Sequence, residues 1–231
     1  TFIDFPENIA EMKADKAPIK VQTSYTSDAP AHKLDNAAKL ITEAKAPVIL
    51  AGNGVIRQGA ADSLVSFAEM LRIPVANTFM AEGVMPFSNP LSLGTIGLKA
   101  RDLPWFAFEK ADVVICIGYD MVEYHPDMWN PNNDKTIIHI DAMPAEVDGN
   151  YIVKVGVLGD IGESLRGIAL KAKPRKQIGF RHIRKQIQAD RAEYSKDKEF
   201  PVKPQKIVWD VRESLGPEDI AISVVGAHKM W

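Results

Sequence analysis

The apolar stretch "APVILAG", residues 46–52, is typical of a β-strand that is buried on both faces of a sheet. It is bounded by Pro47 and Gly52, residues that punctuate secondary structure. Apolar residues at helical spacing recur on both sides of it, at Ala37, Leu40, Ile41 and Ala44 before it and at Ala61, Leu64, Val65, Ala68 and Leu71 after it. The sequence therefore predicts a helix, a buried strand and a second helix in succession.

Four more apolar stretches predict strands, at residues 74–79, 111–118, 135–141 and 152–160. A helix is expected between Asp102 and Lys110. Strands that alternate with helices at these spacings indicate βαβ units with right-handed crossovers. The predicted fold class is α/β, a doubly wound and mostly parallel sheet with helices on both faces.

The composition excludes several classes of protein. With 46% hydrophobic residues, the 231-residue chain can bury a core, and a net charge of −2 offers no attraction to nucleic acid or to anionic membranes. No apolar run approaches the roughly 20 residues of a membrane span. The single cysteine, Cys116, rules out an intrachain disulfide and suits a reducing compartment. We expect a cytoplasmic protein that binds neither nucleic acid nor membrane.

The pattern along the chain suggests five segments. Residues 34–171 are expected to form the central domain, preceded by a linker at 13–33 and followed by a linker or helix at 172–204. That second linker is basic in its first half, but the acids at 190, 193, 197 and 199 offset the charge, which favours a solvated segment over a nucleic-acid site. Residues 1–12 and 205–231 are interpreted as the edges of neighbouring domains.

A glycine turn directly after the first strand is the first candidate for ligand binding. Gly52, Asn53 and Gly54 occupy the place where doubly wound sheets receive phosphates. The dinucleotide fingerprint is incomplete, because Arg57 replaces its third glycine and no acid follows the second strand. A conventional NAD dehydrogenase is therefore disfavoured, and a plain tight turn explains the glycines at least as well.

Acidic residues at the carboxyl ends of successive strands are the second candidate. Asp120 follows the predicted strand 111–118, Asp141 and Asp160 end the next two, and a further glycine turn runs from Gly94 to Gly97. Because such strand ends border the ligand crevice of an open parallel sheet, these residues outline a nucleotide-shaped groove. Each acid alone is equally explained as a cap of loop amides.

Catalytic and metal-binding patterns are otherwise weak. The five histidines show no metal-ligand spacing, and the chain has no nucleophile elbow and no phosphate-binding P-loop. Cys116 lies within an apolar strand and is interpreted as a small core residue. We expect no catalytic residue and no metal ligand within these 231 residues.

Three segments, "GYDMVEYHPDMWN" (118–130), "IIHIDAMPAEVDGNY" (137–151) and "LGDI" (158–161), closely resemble the central domain of acetolactate synthases, which depend on thiamine diphosphate. The motif around Tyr119, Glu123 and Trp129 is the specific part of this resemblance. Residues 2–12 resemble the end of the family's pyrimidine-binding domain, and residues 200–231 resemble the start of its diphosphate-binding domain.

The resemblance implies an activity for a longer parent protein, the condensation of two pyruvates into 2-acetolactate and CO₂. It also implies a homo-oligomer and the cofactors thiamine diphosphate and Mg²⁺. The family's activating glutamate and its Gly-Asp-Gly…Asn motif are absent here, so the chain alone is expected to be inactive. His228 is implied to border the thiamine cleft, although Val224 stands where the family commonly has Asp.

The same resemblance predicts whether the protein binds FAD. Biosynthetic members carry an Arg-rich segment after the fourth strand and bind FAD, whereas "GYDMVEY" resembles the catabolic members, which lack it. Asp120 stands where the FAD-dependent relatives have arginine. A carboxylate about 6 Å from the pyrophosphate costs roughly 3 kcal/mol at an effective dielectric near 20, on the order of a hundredfold in affinity. We therefore expect no bound FAD.

Other readings of the sequence remain open. The chain is also compatible with an independent module that binds a nucleotide or FAD and has no turnover. Middle domains of other thiamine diphosphate enzymes, such as pyruvate oxidases, pyruvate decarboxylases and sulfoacetaldehyde acetyltransferases, are similar. A sirtuin-like deacylase is more distant, because one cysteine cannot supply the four-cysteine zinc site that such enzymes usually have.

Overall fold

One six-stranded sheet organises the molecule, whose computed structural model describes residues 4, 6–14, 16–21, 26–146, 148–216, 219–222 and 226. The strands, in chain order, are β1 (Pro47–Ala51), β2 (Val75–Asn77), β3 (Ser92–Thr95), β4 (Val113–Ile117), β5 (Thr136–Asp141) and β6 (Val153–Leu158). Their spatial order is β3-β2-β1-β4-β5-β6, and all neighbouring pairs are parallel. The predicted α/β fold class is confirmed.

Eight α-helices accompany the sheet in the described part of the chain. They are α1 (Glu7–Ala10), α2 (Ala31–Glu43), α3 (Asn53–Arg57), α4 (Ala61–Leu71), α5 (Trp105–Lys110), α6 (Ile161–Ala169), α7 (Arg181–Ala192) and α8 (Pro204–Ser214). Short 3₁₀ turns occupy Phe79–Ala81 and Pro126–Met128. The helices predicted around residues 37–44, 61–71 and 102–110 are confirmed. Among the described helices, none has the length and apolar character needed to cross a bilayer.

Helices α2, α4 and α6 cover one face of the sheet with aliphatic side chains. Alternate residues of the strands point to this face, so that Val113, Ile115 and Ile117 of β4 join its core. Leu64 and Leu165 come from α4 and α6 and are buried against them. Burying each such side chain contributes about 1.5–3 kcal/mol, so this aliphatic core is a main source of stability.

The opposite face has an aromatic core, which α5 and α7 cover. It is built around Trp105, Phe108, Trp129, Tyr119 and Tyr151. The rings of Trp129 and Tyr151 meet edge to face, with centroids 6.2 Å apart. This core contains the residues of the stretch 118–130, which is therefore anchored to the sheet by its rings.

Helix α7 corrects one expectation. The segment 172–204 was expected to be solvated, yet Ile183 and Ile187 are buried in the aromatic core. Their spacing of four residues places them on the same side of the helix. Most of the other residues of α7 are charged or polar, so this short apolar pattern is hard to recognise in the sequence. By contrast, α8 has no buried residue. The five-segment division of the chain stays a prediction.

A strand that the sequence did not predict lies at one edge of the sheet. The stretch expected to be a glycine turn, Gly94 to Gly97, begins inside β3, where Gly94 has φ +79° and pairs with Ala76. The register shifts between Val75 and Ala76. Four residues interrupted by a glycine carry too little apolar pattern to indicate a strand, which explains the error.

Candidate functional site

The strand order reverses between β1 and β4, and in open α/β sheets this is where a ligand crevice lies. Residues 52–54 follow β1 and residues 118–123 follow β4, and we call these two segments the switch-point loops. The amide of Gly54 donates to the carbonyl of Gly118 at 2.8 Å, and the amide of Gly52 donates to Ile117 at 2.9 Å. The two loops are thus in direct backbone contact.

Glycine is required at this contact because the backbones approach so closely. A Cβ atom on Gly52 would lie 2.4 Å from the carbonyl oxygen of Gly118, and one on Gly54 would lie 2.7 Å from its Cα atom. Gly118 also has φ +59°, in the left-handed region that favours glycine. The glycines that suggested a phosphate cradle therefore serve the packing of one loop on the other.

Glu123 binds the first turn of α3 from the second switch-point loop. Its Oε1 and Oε2 atoms accept from the amide of Asn53 at 3.0 and 3.1 Å, and Oε2 also accepts from the hydroxyl of Thr78. Thr78 is fully buried and directly follows β2. One carboxylate therefore joins the ends of β1, β2 and β4. It binds the Asn53 amide, which the sequence analysis had considered as a donor to a phosphate group.

The three strand-end acids accept hydrogen bonds from nearby backbone amides. Asp120 is exposed and accepts from the amide of Val122 at 3.0 Å. Asp141 accepts from the amide of Met143 at 3.1 Å, and its Oδ2 atom would lie 3.0 Å from a Cβ on Gly54. The third, Asp160, caps α6 by accepting from the amide of its third residue at 2.8 Å. These are the contacts of loop and helix caps.

The structure brings together only some of the predicted groove residues. The switch-point loops contain Gly52, Asn53, Gly54 and Asp120, and Asp141 approaches them. Gly94 instead lies in β3 and Asp160 follows β6, at opposite edges of the sheet. Five strand spacings, about 24 Å, separate those edges, so one ligand groove does not include them all.

Two remaining predicted residues stand apart from this group. Gly97 has φ +86°, and a Cβ there would lie 2.6 Å from the ring of Tyr124, so the loop after β3 packs against the second half of the 118–130 stretch. His228 lies outside the described residues, as does Val224.

Tyr119, Trp129 and His139 find hydrogen-bond partners for their polar groups inside the chain. The Tyr119 hydroxyl donates to the carbonyl of Tyr124 at 2.5 Å and accepts from Trp129 Nε1 at 3.3 Å. His139 Nε2 lies 3.1 Å from the carbonyl of Met143, and its Nδ1 lies 2.9 Å from the hydroxyl of Tyr151. Because a carbonyl only accepts, Nε2 carries the proton and Nδ1 accepts from the tyrosine.

Burial keeps the titratable groups of this core neutral. It lowers the pKa of His139, an effect that the hydrogen bond to Met143 and the charge of Asp141 partly offset. It raises the pKa of Cys116 to about 12, so the thiol stays protonated at neutral pH. The interpretation of Cys116 as a core residue is confirmed by its complete burial. Neither side chain is exposed for acid–base or nucleophilic chemistry.

Metal ligands are not clustered in the described part of the chain. Among its residues, no three His, Cys, Asp or Glu side chains come together as a metal site. The described residues therefore offer no group of three such ligands for the Mg²⁺ that accompanies thiamine diphosphate. We derive no catalytic step through that cofactor from this chain.

Comparison with known protein families identifies the family to which this fold and the stretch 118–130 belong. Residues 34–168 match the model of the thiamine pyrophosphate enzyme central domain. The chain belongs to this family. The predicted resemblance to acetolactate synthases is confirmed by curated relatives that carry this name. A solved structure supports the fold independently.

Two curated relatives are similar over nearly the whole chain. The "Probable acetolactate synthase large subunit" of Methanocaldococcus jannaschii is 34% identical over 99% of this chain and 42% of its own length. The acetolactate synthase large subunit of Corynebacterium glutamicum is 32% identical over 99% of this chain and 38% of its own length. The chain therefore spans about two fifths of the relatives it matches.

A solved structure shares the fold. It is a Mycobacterium smegmatis protein proposed to be a thiamin diphosphate-dependent enzyme, with a TM-score of 0.56 and 23% identity over 71% of this chain and 32% of its own. At this level of identity the similarity concerns the fold alone.

Sequence reasoning missed some residues that the structure brings forward. Glu123 was noted only as part of the family motif, and its partner Thr78 carried no signal because their contact spans 45 positions. Arg184 and Arg191 lie in the segment 172–204, which was expected to be solvated. Their separation of seven residues, two helical turns, was the one available sign that they share a helix face.

Proposed function

We propose that this chain is part of an acetolactate synthase that condenses two pyruvates into 2-acetolactate with loss of CO₂. The single observation that carries the proposal is the 34% identity to the Methanocaldococcus jannaschii relative over 99% of the chain. In the whole enzyme, thiamine diphosphate supplies the carbanion chemistry and Mg²⁺ holds its diphosphate. The enzyme is cytoplasmic and acts as a homo-oligomer on 2-oxo acids.

Within that enzyme we assign this domain a scaffolding role. At the switch-point loops, the amide of Asn53 and the hydroxyl of Thr78 already bind Glu123. Asp120 and Asp141 likewise accept amides of their own loops. Because these groups are used within the chain, they support a domain that positions its neighbours and has no turnover by itself.

The same contacts support an enzyme of the FAD-independent group. A flavin pyrophosphate would have to displace the Glu123 carboxylate from the Asn53 amide and approach the charge of Asp120. We therefore expect the purified 231-residue chain to be colourless, with no flavin fluorescence in the supernatant after heat denaturation. A yellow preparation whose flavin is released by heating would contradict this expectation.

The decisive experiment uses the full-length protein that contains this chain. With pyruvate, thiamine diphosphate and Mg²⁺, it should form acetolactate at a rate that added FAD does not change. The 231-residue chain, assayed in parallel, should form none. Pyruvate consumption that yields acetaldehyde or peroxide without acetolactate would instead identify a different thiamine diphosphate enzyme and overturn the proposal.

A further inference from the structure

Two arginines enclose a phenylalanine ring beside the edge strand β3. The guanidinium carbon of Arg184 lies 4.0 Å from the centroid of the Phe87 ring, and that of Arg191 lies 3.6 Å from it. Two guanidinium groups at these distances cannot occupy the same face, so the ring lies between them. We call Arg184 and Arg191 the arginine pair. They come from the same side of α7, which contacts β3.

Arg184 is the unusual member of the pair because it is buried without an acidic partner. Only 7% of the residue is exposed. Its Nη2 donates to the carbonyl of Phe87, whereas Nε and Nη1 are buried and have no hydrogen-bond partner. Burying a charged group with unsatisfied donors is costly, and proteins normally pair such groups.

The surroundings do not neutralise the pair. Glu82 and Asp190 act on Arg191 through their charges, but no ion pair joins either arginine to an acid in the described ranges. Burial and the nearby charge of Arg191 both lower the pKa of Arg184, yet an arginine stays protonated in proteins. Two positive charges therefore remain close together.

The position of the pair suits a ligand. It lies beside Gly94, the third residue of β3, so it is near the carboxyl side of the sheet, where α/β folds bind small molecules. A Cβ on Gly94 would lie 3.7 Å from both Arg191 Nη2 and the Phe87 ring. Since Gly94 has no side chain, its backbone leaves room beside the guanidinium of Arg191, whose residue is exposed overall.

We propose that the arginine pair is a binding site for an oxyanion, the carboxylate or phosphate group of a small molecule. Arginine presents its donors in a planar fork that matches either group. The anion meets the exposed Arg191 first, and the half-buried Phe87 ring turns aside so that the free Nε and Nη1 donors of Arg184 can bind it. This proposal is independent of the acetolactate synthase activity.

The Nε–H groups of arginines give separate NMR signals, which allow a direct test on the 231-residue chain. Inorganic phosphate and acetate are titrated separately at constant ionic strength, with chloride as the compensating anion. We expect a saturable shift of the Arg184 Nε–H signal, with an affinity of roughly 1 mM, in the range of a weak small-molecule complex. A response to phosphate alone identifies a phosphate site, and a response to acetate alone identifies a carboxylate site.

Three variants distinguish the site from general ionic effects. Arg191→Gln removes the exposed member and should weaken binding at least about tenfold, whereas Phe87→Ala removes the intervening ring and should strengthen it. Arg181→Gln, an equal charge change at the exposed start of α7, should leave the affinity unchanged. Each variant is first checked for a native spectrum.

Two results would overturn the proposal. One is an Arg184 signal that does not respond to phosphate or to acetate in the wild-type chain or in Phe87→Ala, which would mean that water satisfies the buried donors. The other is an equal response in the wild-type chain and in Arg191→Gln, which would mean a nonspecific effect of salt.

Discussion

The switch-point loops and the arginine pair lie along the same sheet but differ in how their charges are satisfied. At the loops, the Glu123 carboxylate accepts an amide and a hydroxyl from two other segments. At the pair, Arg184 is buried with two donors that have no partner among the described residues. The loops are complete within the chain, whereas the pair requires something that the described chain does not provide.

The comparison teaches that a position near the crevice of an α/β sheet does not by itself make a ligand site. The centre of this sheet has the glycines and the helix start that phosphate sites use, yet those groups bind one another. The edge strand β3 has no such motif, but the arginine pair beside it on α7 forms no ion pair in the described ranges. Changes at the loops should therefore cost stability, and changes at the pair should cost binding.

The largest effect is expected from Gly52→Ala in the first switch-point loop. The added methyl group would lie 2.4 Å from the carbonyl oxygen of Gly118 and 2.5 Å from the Cα atom of Tyr119. Backbone atoms cannot give way as flexible side chains do, so we expect a loss of about 3 kcal/mol in the free energy of unfolding. Urea denaturation measures it.

The matched control is Gly149→Ala, at an exposed glycine where a Cβ meets nothing within 4 Å. It should change the free energy of unfolding by less than about 0.5 kcal/mol. If the two variants were equally stable, the close backbone contact between the loops would be wrong.

The next effect is expected from Glu123→Ala. It removes the acceptor of the Asn53 amide and of the buried Thr78 hydroxyl. Hydrogen bonds to charged groups contribute about 1.5–3 kcal/mol, and because Glu123 is only half-buried we expect a loss of about 2 kcal/mol.

Glu146→Ala removes an exposed carboxylate from the loop between β5 and β6 and is the control, expected to be nearly neutral. A double-mutant cycle of Glu123→Ala with Thr78→Val should give a coupling energy of about 1 kcal/mol. Strict additivity would show that the two side chains do not interact.

A smaller, pH-dependent effect is expected from His139, whose partner Met143 also donates to Asp141 near the loops. The pKa of His139 is lowered in the folded chain, so the unfolded chain binds the proton more readily. Stability should therefore fall as pH drops below about 6.5, by at most about 1.4 kcal/mol per pH unit for one proton. Once the pH is below the lowered pKa of His139 in the folded chain, both states bind the proton, and the free energy of unfolding falls no further on this account.

His139→Gln keeps an acceptor and a donor but does not titrate. Urea unfolding of both chains is measured at a series of pH values. Below about pH 6.5, the ordinary pKa of histidine, the free energy of unfolding should fall more steeply for the wild type than for the variant. Parallel curves would mean that the pKa of His139 is the same in the folded and the unfolded chain.

The smallest effect on stability is expected from Arg191→Gln. The side chain is exposed and forms no ion pair in the described ranges, so its contact with Phe87 is the main loss. A cation–π contact at an exposed site contributes about 0.5–1 kcal/mol, and we expect a change near the lower end. A loss as large as that of Glu123→Ala would remove the contrast between the two regions.

The sequence alone was sufficient for the class of fold and for most of its elements. Buried strands such as β1 and β4 are short apolar runs, and helices such as α2 and α4 have a clear helical period, because each pattern is produced by neighbouring residues. The family was equally accessible, since the stretch around Tyr119, Glu123 and Trp129 is contiguous. These are the features that local sequence specifies.

Only the tertiary structure decided which groups bind one another. Asn53 and Glu123 meet across 70 positions, and Arg184 meets Phe87 across 97. The strand order sets these distances, and no local pattern reports it. Whether a glycine turn holds a phosphate or another loop, and whether an arginine is solvated or buried, depends on what the fold places opposite it, because hydrogen bonds and charges act only over a few ångströms.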